Sequence, residues 1–130
     1  MFVYEEDNRV INQSLDSMLL SQKSYGWSRT NHDAPLFIRK IEKKENQTTI
    51  HYAFLHFDYQ ITIPFTDQAS IDNAISCLAI LLYLNITPQT IAERMLKLEP
   101  VAMRLDVRKG KQNCTIINDS YNSDINAIKI

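Results

Sequence analysis

Apolar residues recur along this chain at three different spacings, and each spacing predicts a different element. Near the start, "MFVY" is an apolar run of strand length, and in "NRVINQSLDSMLL" Val10, Ile11, Leu15, Met18 and Leu19 fall at helical spacing behind a polar Asp7-Asn8 cap. A strand followed by a helix is predicted there. From Ser24 to Phe65 the period drops to two. Ile50, Tyr52 and Phe54 alternate with His51 and Ala53, and Tyr59, Ile61 and Ile63 alternate with Gln60 and Thr62. "LHFDY" is the expected hairpin turn, "PLFIRKIEKKEN" supplies a third strand, and Pro64 ends the segment. The three strands between about Leu36 and Ile63 are therefore expected to form an antiparallel sheet with a single apolar cover.

The cover follows directly in sequence. Ile71, Ala74, Ile75, Leu78, Leu81 and Leu82 make a broad apolar stripe on a helix that Asp67 or Ser70 can cap. In "TPQTIAERMLKLEP", Thr87 is a ready N-cap, Pro88 suits the first helical position and Pro100 lies beyond the end, so a second helix is punctuated on both sides. "RLDVRKGKQNCTIIND" predicts two strands joined through Lys109, Gly110 and Lys111, and "SDINAIKI" opens a further helix with Ser123 as its cap. The order of parts is that of an α/β protein. No internal repeat or low-complexity linker interrupts it.

Composition narrows the class. A chain of 130 residues with 45% apolar content suits one compact unit or parts of two adjacent ones. With a net charge of -1 and scattered Lys and Arg, nothing marks a nucleic-acid partner, and the short "IRKIEKK" run suits a solvated strand face. No apolar stretch reaches the roughly 18 residues of a membrane span. The segment "MFVYEEDNRV" carries acid where a signal peptide carries base, so a cytoplasmic location is expected, with Cys77 and Cys114 as reduced core thiols.

Motifs exclude more than they assign. Only Gly26 and Gly110 are present, so neither a phosphate-cradling P-loop nor a dinucleotide fingerprint fits in the chain. His32, His51 and His56 lack the neighbours of a zinc site, and Ser120 has no nucleophile elbow around it. The stretch "CTIINDSYNSD" stands apart. A β-branched run there ends in carboxylate, hydroxyl and amide groups, which is the chemistry that open α/β sheets present at the ends of their strands to ligands.

Three segments in this order, "ASIDNAISCLAILLYLNI", "LEPVAMRLDV" and "CTIINDSYNSDINAI", resemble the Mur ligases of peptidoglycan precursor synthesis. They are most similar to the branch that adds D-alanyl-D-alanine, in the form fused to an alanine racemase. "FVYEEDNRVINQSL" is also similar to the family's strand, Asn-Asp-Asp type turn and following helix, so the resemblance covers nearly the whole chain. It implies a fragment: residues 1–100 as the C-terminal half of the central, ATP-binding domain, with its antiparallel strand segment packed on helices, and residues 101–130 as the first strands of a Rossmann-like C-terminal domain. The family's phosphate loop, Mg2+ ligands and carbamylated lysine would lie upstream.

What the resemblance assigns to this chain is the base and ribose side of the nucleotide. Asn73 matches the helix asparagine that contacts adenine, Arg104 the junction arginine that reaches the phosphates, Asp119 the ribose-binding aspartate, and Asn122 lies in the same turn beside the base. Met103 stands where the family usually has glycine before that arginine, which bears on the local backbone. Each residue also has a plain structural reading. Asn73 can cap or face solvent, Arg104 can pair with Asp106 or Glu99, and Asp119 with Asn122 can be turn residues.

The implied parent uses ATP and Mg2+ to phosphorylate the carboxylate of a UDP-muramoyl-tripeptide, and the amine of D-Ala-D-Ala attacks the acyl phosphate. Pyridoxal phosphate belongs to the implied downstream racemase. The fragment alone is expected to bind no cofactor and to be inactive. The alternative is a stand-alone α/β interaction domain without chemistry.

Overall fold

The computed structural model describes residues 2–17, 24–99 and 106–118. The chain divides into two compact units, Met1–Leu98 and Glu99–Ile130.

In the first unit, β1 (Phe2–Glu5), α1 (Arg9–Ser17), β2 (Ser24–Ser28), β3 (Leu36–Lys43), β4 (Thr48–Phe54) and β5 (Phe57–Ile63) precede α2 (Gln68–Tyr83) and α3 (Pro88–Met95). The five strands form one sheet in chain order; β1, β2 and β3 run parallel, whereas β3, β4 and β5 are antiparallel. The expected antiparallel trio is present. It continues into a parallel half that periodicity shows less clearly, because β2, "SYGWS", is buried at Gly26, Trp27 and Ser28 in succession and has no alternation to read. A parallel step ordinarily needs a crossover of a dozen or more residues. Here β2 and β3 pair only at Trp27↔Leu36 and Ser28↔Phe37, so residues 29–35 retrace a short distance and suffice.

A register shift between Ile38 and Lys40 adds one residue to β3. The bulge lets Leu36, Ile38 and then Ile41 reach the core at spacings of two and three. Arg39, the extra residue, pairs its Nε with Asp58 on β5 at 2.6 Å.

α2 buries Ile71, Ala74, Ile75, Leu78, Ala79 and Leu82 in the core that also holds Trp27, Ile38, Ile50, Tyr52, Ile61 and Ile63. Asp67 is its N-cap, accepting from the Ser70 amide at 2.8 Å. Its C-terminus closes with Asn85 in the left-handed region, φ 59°, while the Ile86 amide donates to Leu81 O and the Asn85 amide to Leu82 O. Thr87 caps α3 with Pro88 at its first position, as the sequence predicts, and Ile91 and Met95 bury against the same core.

Three expectations need correction. Cys77 and Cys114 are free but exposed. On α2 the reason is geometric: Cys77 lies about 200° round the helix from the buried Ile75. Val10, expected on the apolar face of α1, is 71% exposed, and among the described residues of that helix Leu15 is the buried one. Met18 and Leu19 lie outside the described residues. The β4–β5 turn is tighter than "LHFDY", since only Leu55 and His56 lie between the strands.

Both turn residues have positive φ, 50° and 67°, the geometry that a two-residue hairpin prefers to build from Asn-Gly. Leu55 is moreover exposed. An L-residue in this region costs about 1–2 kcal/mol. Replacing the pair by Leu55→Asn with His56→Gly is therefore expected to stabilise the fold by about 1–2 kcal/mol, read as a higher urea midpoint with an unchanged slope. An unmoved or lowered midpoint would show that the native tip makes a compensating contact.

In the second unit, β6 (Asp106–Lys109) and β7 (Thr115–Asn118) pair antiparallel from Asp106↔Asn118 to Lys109↔Thr115. The two predicted strands are present. Their connection is longer than expected, running from Gly110 through a 3-10 turn, Lys111–Asn113, with Gln112 at φ 57°. The helix predicted from Ser123 lies outside the described residues.

Candidate functional site

The C-terminal ends of the parallel strands carry a polar network that joins three separate segments. β1 ends at Glu5, and the turn after it delivers Asp7 towards the end of β2. One Asp7 carboxylate oxygen accepts from Ser28 Oγ and from Thr30 Oγ1, both at 2.6 Å, and the other accepts from the Arg29 amide at 2.7 Å. Burial opposes the charge on Asp7, but these donors outweigh it and hold the carboxyl below the usual aspartate range. Ser28 is fully buried, and its oxygen also accepts from the amides of Thr30 and Asn31. The neighbouring Asn8 caps α1 through the amides of Val10 and Ile11. Glu6 lies across Gly26, where a Cβ would come within 2.0 Å of its carboxylate, and it accepts from Asn31 Nδ2 at 2.9 Å.

Arg29 carries the network onto α2. Its guanidinium lies 5.5 Å from the centre of the Trp27 ring and is bonded to Asp72 Oδ1, which also accepts from Gln68 Nε2 at 2.9 Å. Its Nε is buried with no described partner. Glu5 shares the neighbourhood. Burial raises its pKa, Asp72 and Asp7 add to the rise, and Arg29 works against it.

Of the four residues singled out from the sequence, Asn73 is described. It sits one position beyond Asp72 in the second turn of α2, is exposed, and takes no part in the Asp7–Arg29–Asp72 network. Arg104, Asp119 and Asn122 lie outside the described residues. The network itself went unread in sequence. "EEDN" after a strand was its visible signal, but Ser28 and Arg29 sit at the end of a strand that periodicity does not show. Asp72 is hidden within a helix pattern.

Among the described residues no group of three or more His, Cys, Asp or Glu side chains is placed to hold a metal ion. None of the described helices is long and apolar enough to cross a membrane.

No protein-family profile matches the chain. A curated relative, the UDP-N-acetylmuramoyl-tripeptide--D-alanyl-D-alanine ligase of Bacillus subtilis, is 28% identical over 107 residues, covering 82% of this chain and 22% of the relative. Among solved structures, MurF from Acinetobacter baumannii has a TM-score of 0.71 at 14% identity over 96% of this chain and 26% of its own. MurF ligase from Thermotoga maritima in complex with ADP has a TM-score of 0.55 at 16% identity, covering 84% of this chain and 26% of its own. The chain thus spans about a quarter of the length of the relatives it matches. The mixed α/β fold is that of a stretch of these ligases, and the sequence is similar to a stretch of one that adds D-alanyl-D-alanine.

Proposed function

We propose that this chain is a segment of a MurF-type ligase, with residues 1–100 ending the central ATP-binding domain and residues 101–130 opening the C-terminal domain. The parent would join D-Ala-D-Ala to UDP-N-acetylmuramoyl-tripeptide through an acyl phosphate. One observation carries the reading: nearly the whole chain follows the MurF fold, and the same stretch aligns in sequence with a D-alanyl-D-alanine ligase. The wording of "EPVAMRL" and "INDSYNSDI" leads us to place an alanine racemase, with its pyridoxal phosphate, in the same parent.

Within this chain the residues suit the adenosine end of ATP. Asn73 is exposed on α2, and an amide there can both donate to and accept from an adenine edge. Asp119 would accept from the ribose hydroxyls, Asn122 would stand beside the base, and Arg104 would reach the phosphates with a permanent charge. With two glycines, the chain holds no phosphate cradle of its own, and the acyl-phosphate chemistry would fall to residues elsewhere in the parent. When bound, ATP and Mg2+ supply the phosphoryl group and neutralise its charge.

The test uses the complete gene product. It should form an amide from UDP-muramoyl-tripeptide and D-Ala-D-Ala with release of phosphate from ATP. Asn73→Ala and Asp119→Ala should each raise the KM for ATP about tenfold, the worth of one or two hydrogen bonds, at little change in kcat. Absence of ATP-dependent amide formation in the parent protein would overturn the assignment. An unchanged KM in both variants would return the two residues to structural roles.

A further inference from the structure

We infer that Arg29 is a positioning residue for Asn73, setting the selectivity of the nucleotide site for adenine; the inference rests on the nucleotide reading of Asn73 given above. Arg29 is held from three directions. Its amide is bonded to Asp7, its guanidinium lies over Trp27, which is 2% exposed, and its terminal nitrogen is bonded to Asp72. Asp72 immediately precedes Asn73, and Gln68 holds the same Asp72 oxygen from one turn earlier.

The consequence is a fixed rotation for the start of α2. The buried stripe of Ile71, Ala74 and Ile75 holds one side of the helix against the sheet. That packing sets the mean rotation of the helix. The bond to Asp72 adds a polar tether at position 72, since its donor lies over a buried indole and is bonded through its own amide to the β1 turn. A rotation of α2 would carry Asn73 with it, and an amide discriminates bases only when its donor and acceptor point along the base edge.

Asp72 is bonded to Arg29 from the end of β2 and to Gln68 from the preceding turn of α2, so the side chain of the residue that follows it, Asn73, leaves the helix from a position held on two sides.

Steady-state kinetics of the complete ligase test this with ATP and GTP as alternative nucleotides, using Arg29→Ala, Arg29→Lys, Asn73→Ala and the exchange Arg29→Asp with Asp72→Arg. For Arg29→Ala the KM for ATP should rise about fivefold, with kcat within about twofold and the KM for D-Ala-D-Ala unmoved. The KM for GTP should stay where it is, so the preference for ATP falls by the same factor. Arg29→Lys, which keeps the charge, and the exchanged pair should each recover part of that preference.

Thermal midpoints measured alongside separate folding from positioning. A fall in midpoint with the ATP-to-GTP preference intact would overturn the inference, as would equal rises in KM for both nucleotides. Asn73→Ala distinguishes the two levels of the argument. If it leaves the KM for ATP unchanged, the nucleotide reading itself fails; if it raises that KM while Arg29→Ala does not, the positioning role alone fails.

Discussion

Leu78→Ala is expected to destabilise the first unit by about 3 kcal/mol, the middle of the range for emptying a fully buried leucine site. Leu78 is 0% exposed, at the centre of the α2 stripe, with Ile71 and Ile75 before it and Leu82 after it all 1% exposed or less. Truncation removes apolar burial and leaves a space that the flanking turns cannot fill without moving the helix. For a unit of this size the loss corresponds to a fall in Tm of roughly 15 °C. Cys77→Ala, one residue away, is the control. Its side chain is exposed, so the change should stay within about 0.5 kcal/mol. Urea denaturation of the pair decides the matter. Near-equal midpoints would mean that α2 does not bury the stripe assigned to it.

That contrast shows what the sequence makes legible. α2 is readable because its stripe repeats over four turns, and α3 because Thr87 and Pro88 mark its start by local chemistry alone. β4 and β5 are readable because one face is covered and the other is wet, which forces alternation. β2 escapes for the opposite reason, being buried at successive residues. The bulge at Arg39 is written only as a change of spacing, from two between Leu36 and Ile38 to three between Ile38 and Ile41. Such a change is ambiguous until the partner strand is known.

The site divides along the same line. Asn73 is reached through similarity of wording, and nothing in its own periodicity distinguishes it from a surface asparagine. The Asp7, Ser28, Arg29 and Asp72 network cannot be read residue by residue. Its members are separated by up to 65 positions and meet because parallel strands bring their C-terminal ends together, a property of the fold and not of any one segment.

The tightest point of that network gives the second large effect. Asp7→Ala is expected to cost about 2–3 kcal/mol at pH 7, since hydrogen bonds to a charged acceptor are worth more than neutral ones and Ser28 would be left buried without its acceptor. The pH dependence fixes the mechanism. Because the folded pKa of Asp7 is depressed, the stability it contributes is fully present above the ordinary aspartate value of 3.8 and is lost as the pH falls through 3.8 towards the lower folded value. The difference between wild type and Asp7→Ala should therefore shrink between pH 5 and the most acid pH at which the protein still folds. Glu5 has the opposite sign. Burial raises its folded pKa, so its ionised form opposes folding at neutral pH, and that penalty fades as the pH falls through the raised value towards 4.5. Glu5→Gln should accordingly stabilise at pH 7 and lose its advantage in acid. Urea midpoints for the three proteins across this range give two trends, both dictated by the same few side chains. A cost of Asp7→Ala that stays constant into acid would show that its carboxylate is not what holds the ends of β1 and β2 together.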